Sequence, residues 1–209
     1  MKLAVIAANG KAGKLIVSEA LSRGMEVTAI ARGENETEAT EYLQKDLFDL
    51  TKEDLEGFDV VATAFGAFTP ETLPGHLTSI EHLTQLLAGS DTRFIVVGGA
   101  GSLYMDETHT VELKDTPDFP DAFMPTAINM GKGLDALRQA TDVKWTYISP
   151  AADFQADGER TGEYLLGGEE FFVNDKGEST ISYADYAIAF VDEIEKGNHI
   201  QERISVIAK

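Results

Sequence analysis

The 209-residue chain contains no cysteine, which excludes disulfides, thiol nucleophiles and cysteine-ligated metals, and suits a reducing cytoplasm. It has four histidines. His76 and His82 have no partner at metal-ligand spacing, so both read as structural or surface residues and no metal is expected. No run reaches the about 18 apolar residues of a membrane span, and the N-terminus lacks the longer apolar core of a signal peptide. A cytoplasmic protein with no membrane partner is the expectation. Positive charge is scarce as well: 17 lysines and arginines face 36 acidic residues, a formal net charge of −19. Such a field repels nucleic acid and anionic lipid, so neither is expected as a partner. Against this background, any cation beside a candidate anion site is informative. No linker or repeat divides the chain, and its length suits one domain over residues 1–209.

What is present starts with Lys2 to Ala7, a short apolar run of the kind that forms a strand buried on both faces of a parallel sheet. After it, Asn9-Gly10 offers two residues tolerant of positive φ, and the apolar period changes. Ala12, Leu15, Ile16, Ala20 and Leu21 recur at helical spacing up to Gly24. Strand, tight turn and helix leave amides unpaired at the positive end of the helix dipole, a setting that favours phosphate or pyrophosphate. The segment Ala8, Asn9, Gly10, Lys11, Ala12 and Gly13 is therefore the candidate cofactor cradle. Gly10 allows close approach of a ligand and Gly13 close packing of helix on strand. The fingerprint's first glycine is missing, since positions 7 and 8 are alanines.

The second strand, Glu26 to Ala31, ends at Arg32. In a doubly wound sheet this position lies over the adenosine ribose, where an acidic residue would bind a free 2′-OH; a planar cation suits a 2′-phosphate, hence NADP over NAD. A third strand, Tyr42 to Gln44, brings Asp46 and Leu47 to the sheet edge, where Asp46 either meets an adenine amino group or caps a turn. The strand Phe58 to Ala64 places Ala64, Phe65 and Gly66 against a flat ligand, with packing the more common role for a phenylalanine. A helix follows from Leu77 to Leu87. The fifth strand, Arg93 to Val97, leads into Gly98, Gly99 and Gly101, which expose backbone at the nicotinamide end. Ser102 is placed to hydrogen-bond a substrate carbonyl or ring edge.

These residues, with Trp145 to Phe154 and Ile181 to Glu195, resemble the atypical short-chain dehydrogenase/reductase group that includes NmrA-like and biliverdin reductase B-like flavin-reducing members. Ile181 to Ala187 looks most like bacterial NADH-flavin reductase-like chains. The resemblance implies a Rossmann-like, doubly wound parallel α/β sheet with a small C-terminal cap, and NAD(P)H held by the first turn and Arg32. The group's usual Tyr-x-x-x-Lys dyad is absent. Here Ile128 to Lys132 supplies Lys132 without the tyrosine, which argues against alcohol dehydrogenation. Reduction of a flavin such as FMN or FAD needs no such acid, because hydride goes to the ring and water supplies the other proton. Ser102 and Lys132 are the catalytic candidates, and a non-catalytic dinucleotide sensor is the alternative.

Cap elements are expected within residues 104–125, an acidic Pro-containing flap, and 151–182. There Gly162 to Tyr164 and Phe171 to Val173 suggest a hairpin. Phe119 and Phe123 could stack on a flavin, although packing into the cap is the more common role for such residues. A helix over Ala127 to Ala140, a strand over Lys144 to Ser149, and Pro150 lining the nicotinamide side precede this region. Ser182 and Asp185 open a last helix that Gly197 ends, and Arg203 to Ile207 closes the sheet. A small-molecule acceptor, and a monomer or weak homodimer, complete the expectation.

Overall fold

The apolar run near the N-terminus forms β1 (Lys2–Ile6), and its alternation fixes two cores at once: Leu3 and Val5 point to one face of the sheet, Ala4 and Ile6 to the other. The computed structural model describes residues 1–209. α1 (Lys11–Ser22) returns the chain to β2 (Glu26–Ala31), which pairs parallel to β1, and β3 (Glu41–Gln44) adds outside it. A single turn, α2 (Lys52–Leu55), opens on a Thr51/Asp54 capping box. The chain then returns to the other side of β1 as β4 (Val60–Thr63), and proceeds outward through α3 (Gly75–Leu87), β5 (Arg93–Val97), α4 (Met124–Gln139) and β6 (Lys144–Ser149). α5 (Tyr183–Lys196) and β10 (Glu202–Ala208) follow, with β10 parallel to β6.

The strand order is β3-β2-β1-β4-β5-β6-β10, with one further strand, β8 (Tyr164–Gly167), antiparallel at the edge beside β10. Because the chain leaves β1 in one direction and then returns to lay down β4 on its other side, the carboxyl ends of β1 and β4 form a topological switch point, where crevices form in doubly wound sheets. α1 and α5 cover one face, their Ile16, Val17, Phe190 and Ile194 joining Val5 and Ala29. α3 and α4 cover the other, with Leu83, Leu134 and Leu137 against Phe94 and Trp145. No helix is long and apolar enough to cross a membrane.

The cap differs from its expected form. Tyr164 to Gly167 does form a strand, but its partner is β10, with Val206 opposite Leu166. Phe171 to Val173 is not a strand, so there is no hairpin. Instead β7 (Asp153–Gln155) and β9 (Thr180–Ser182) make a two-stranded parallel ladder beside the site. The expected flap is tied down in its first half. Tyr104 bridges Glu112 and Glu170, its ring stacks on His109 at 4.2 Å, and Asp106 accepts from Val111 N–H at 2.9 Å. α4 starts at Met124, ahead of the expected Ala127, because Pro125 fits the first turn of a helix. α5 opens and closes as expected: Ser182 Oγ accepts from Asp185 N–H at 3.0 Å, and Gly197 ends it at φ 61°. Asp185 is buried, accepting from Thr161 and Gly162 N–H groups, a structural contact.

Candidate functional site

Between β1 and α1 the chain makes a turn whose left-handed residue is Ala7, at φ 58°, while Gly10 has φ −70°. This corrects the expectation that Asn9-Gly10 supplies positive φ. Ala7 occupies the place of the missing glycine and holds a conformation that costs an L-residue roughly 1–2 kcal/mol. Gly13 is required by contact: a Cβ there would lie 2.6 Å from Ala7 O and 2.8 Å from Ala8 O. Ala8 is fully buried and its N–H donates to Ile30 O at 3.2 Å, so it packs beneath the cradle and its amide is committed to the sheet. The Asn9 side-chain amide is engaged by the neighbouring loop, donating to Glu34 O at 2.7 Å and accepting from Glu36 N–H at 3.0 Å.

Above them α1 begins without a side-chain cap and without an acidic residue in its first turn. Its first internal bond runs from Lys14 N–H to Gly10 O at 2.9 Å. The N–H groups of Lys11, Ala12 and Gly13 therefore lie ahead of the helical ladder, at the positive end of the dipole. In a chain of charge −19, a helix start free of carboxylates fits a diphosphate.

At the end of β2, Arg32 is 83% exposed, with Asp46 Oδ2 3.9 Å from its Nε. Asp46 caps the next turn as expected: its Oδ1 accepts from Phe48 N–H at 2.9 Å, opening the 3-10 turn of Leu47–Asp49. Lys14 is paired with Glu36 at 2.6 Å, while Lys11 has no acidic partner. Lys11, Arg32 and Leu47 line the same cleft as the cradle.

Beyond the switch point, Ala64 N–H donates to Ile6 O at 3.0 Å, continuing the β1 ladder. Phe65 packs edge-on against His76, with centroids 5.6 Å apart, and supports the cleft as a packing residue. Burial lowers the pKa of His76 from its ordinary value, partly opposed by its contact with the Ala67 backbone. The glycines after β5 are set by what lies beside them. A Cβ on Gly98 would enter the Tyr147 ring, one on Gly99 the Met130 sulfur, and one on Gly101 the Ala127 Cβ. Gly99 N–H donates to Tyr147 Oη at 3.0 Å, and burial pushes that phenol up to about 12, so it stays protonated inside the fold.

Ser102 lines the cleft. Behind it the fully buried Arg203 donates to Ser102 Oγ and to Ser102 O, both at 3.1 Å, and pairs with Glu169. Because its oxygen accepts from a cation, the Ser102 hydroxyl keeps its own proton to donate. Lys132 is elsewhere. Thr126, Ala127 and Met130 of α4 face the cleft, but Lys132 lies about 200° around the helix from Met130, and both it and Ile128 are exposed. It is not brought to the site.

Together these segments line one cleft of about 2010 Å³. It contains Asn9, Gly10, Lys11, Ala12, Arg32, Asp46, Leu47, Ala64 to Gly66, Gly98, Gly99, Ser102 and Pro150. Ala8, Gly13 and Lys132 are outside the lining. Sequence reading missed Phe68, Phe154, Tyr183 and Met130. Phe154 and Tyr183 meet with ring centroids 3.9 Å apart, tilted by 31°, because β7 and β9 pair, and three-residue strands leave no period to read. Phe68 is 79% exposed and Phe123 62%, two large rings left open at the mouth. Phe119 and Phe123, for which packing into the cap was the favoured expectation, both line the cleft.

Comparison with known proteins agrees with this geometry. A family described as NAD(P)H-binding matches residues 7–196. The chain is 47% identical to the uncharacterized protein YwnB of Bacillus subtilis strain 168, over all of this chain and 99% of that one. It is 63% identical to a crystal structure from Streptococcus pneumoniae TIGR4, named "a putative NADH-flavin reductase", covering 100% of both chains with a TM-score of 0.98. A Bacteroides thetaiotaomicron structure named a "putative epimerase" is 36% identical over 99% of this chain and 96% of its own, with a TM-score of 0.85.

Proposed function

The chain belongs to the NAD(P)H-binding family, and on that premise we propose that it is an oxidoreductase that uses NADPH to reduce a flavin or a similar flat conjugated acceptor. One observation carries the reading: the uncapped start of α1 and the open rings of Phe68 and Phe123 border the same cleft. Its volume of about 2010 Å³ exceeds the roughly 300–1,000 Å³ of an ordinary small-molecule pocket, leaving room for a dinucleotide and an acceptor together. The name of the Streptococcus pneumoniae relative supports the same class of acceptor.

In this reading the N–H groups of Lys11 and Ala12 hold the diphosphate, and Arg32, helped by Lys11, holds the 2′-phosphate. When bound, NADPH supplies a hydride to the acceptor and water supplies one proton, leaving NADP and the dihydro acceptor. The chain contributes orientation and exclusion of water. Gly98 to Gly101 and Pro150 form one wall at the nicotinamide, the aromatic rings hold the acceptor flat, and Ser102 offers a donor fixed by Arg203. The epimerase name of the Bacteroides relative does not carry over, because such chemistry calls for a tyrosine where this chain has the exposed Ile128.

The test follows NADPH absorbance with and without riboflavin, FMN or an uncharged quinone. Acceptor-dependent oxidation that requires the protein is expected. Tight NADP binding with no turnover on any of the three would overturn the reductase and favour the dinucleotide sensor.

A further inference from the structure

Resting on that reading, we infer that Glu36 is a second specificity residue of the adenosine side, its carboxylate accepting from the 2′-hydroxyl of NADH, so that the protein binds NADH as well as NADPH. β2 stops at Ala31, and the next residue, Arg32, is a cation where an acid would meet a free 2′-hydroxyl. The loop that follows supplies the acid from further along. Of its Glu34, Glu36 and Glu38, only Glu36 lines the cleft, together with Gly10, Lys11, Arg32 and Gly33. Asn9 fastens it there. Glu36 N–H donates to Asn9 Oδ1 at 3.0 Å and Glu34 O accepts from Asn9 Nδ2 at 2.7 Å, which ties the loop to the turn that carries the cradle. Its far side is held by Asn35 Nδ2, which donates to Ala39 O at 2.8 Å, and by Tyr42 Oη, which donates to Gly33 O. The Glu36 backbone is thereby set without help from a ligand.

The carboxylate itself is available. Glu36 Oε2 is paired with Lys14 at 2.6 Å, and Oε1 has no partner. Lys14 lies outside the lining, so the cleft meets the acidic end of the pair. Both side chains are exposed, which makes the pair weak and easily rearranged. The other acid on this side, Asp46, is less free: its Oδ1 caps the next turn, and its Oδ2 stands 3.9 Å from Arg32 Nε. The two dinucleotides therefore meet different partners at the same ribose. A 2′-phosphate finds Arg32, with repulsion from Glu36 reducing the gain, whereas a free 2′-hydroxyl finds a carboxylate acceptor.

The test titrates NADH and NADPH separately into the native protein, Glu36→Ala, Lys14→Met and the double variant, reading nicotinamide fluorescence. Both side chains are exposed, and the loop keeps its bonds to Asn9, so folding should be undisturbed. The ratio of the two dissociation constants cancels what both dinucleotides share, the diphosphate included. The native chain should bind both. Glu36→Ala should move the ratio roughly tenfold toward NADPH, chiefly through loss of a charge-assisted hydrogen bond to NADH. The same shift should appear when Glu36→Ala is made in the Lys14→Met background. An unchanged ratio, or no binding of NADH to the native protein, would overturn the inference. So would a shift that vanishes once Lys14 is gone, which would assign the effect to the released lysine. The reductase falls separately, if neither bound dinucleotide is oxidised by riboflavin, FMN or quinone.

Discussion

Arg32 shows how much one residue can decide and how little of that needs structure to foresee. Its guanidinium is 83% exposed and its acidic neighbour stands 3.9 Å away in water, a loose pair that costs little to replace. A 2′-phosphate offers it a stronger, charge-assisted bond. Arg32→Ala should therefore weaken NADP binding by about 1–3 kcal/mol and leave NAD nearly unchanged. Calorimetry on both dinucleotides decides it, and an equal loss for the two would place Arg32 outside the 2′-phosphate site. The contact made by Gly13 was likewise legible, because only a glycine lets a helix start this close to a strand. The backbone of Ala7 was not, since an alanine at φ 58° is imposed by the surrounding strands and α1 against its own preference. Nor was the commitment of Asn9 to the loop at Glu34 and Glu36, which depends on two turns meeting in space.

Elements with a strong period or an unambiguous stop were legible almost to the residue. β2, β5 and β6 stand where the apolar runs put them, and α5 runs from its Ser182 cap to Gly197. What failed was the choice of partner. Tyr164 to Gly167 has strand character, yet it pairs with β10, some forty residues on, a decision made by the open edge of the sheet. Lys132 failed by rotation: a helix that gives Met130 to the cleft turns Lys132 outward. α3 carries a pH response. His76 is 6% exposed, and its folded pKa is depressed from about 6.5, first by burial. The unfolded chain therefore binds a proton that the folded one resists. Stability from this group is complete above about pH 6.5 and is lost as pH falls below it toward the folded value. Urea midpoints should drop as pH falls below about 6.5, and His76→Gln should remove most of that slope. An unchanged slope in the variant would assign the response to other groups.

At the scale of the whole molecule, binding a nicotinamide dinucleotide is an encounter between two anions. The body carries −19, and the lysines and arginines lining the cleft, Lys11, Arg32 and Lys45, are confined to its adenosine side, with Lys45 already paired to Asp54 at 2.6 Å. Approach from a distance is therefore governed by repulsion, while attraction acts only once the phosphates lie close to the α1 amides and Arg32. The two act over different lengths. Salt near 0.1 M screens beyond about 10 Å, removing the long-range term before it greatly weakens the contacts at the cradle. The association rate of NADPH should consequently rise as ionic strength is raised from low to physiological values, the reverse of an enzyme that steers its anionic ligand with a basic surface. Stopped-flow fluorescence of NADPH binding measures this directly. A rate that falls with added salt would mean that Lys11 and Arg32 dominate the field at the mouth, and that the acidic body plays no part in selecting what comes in.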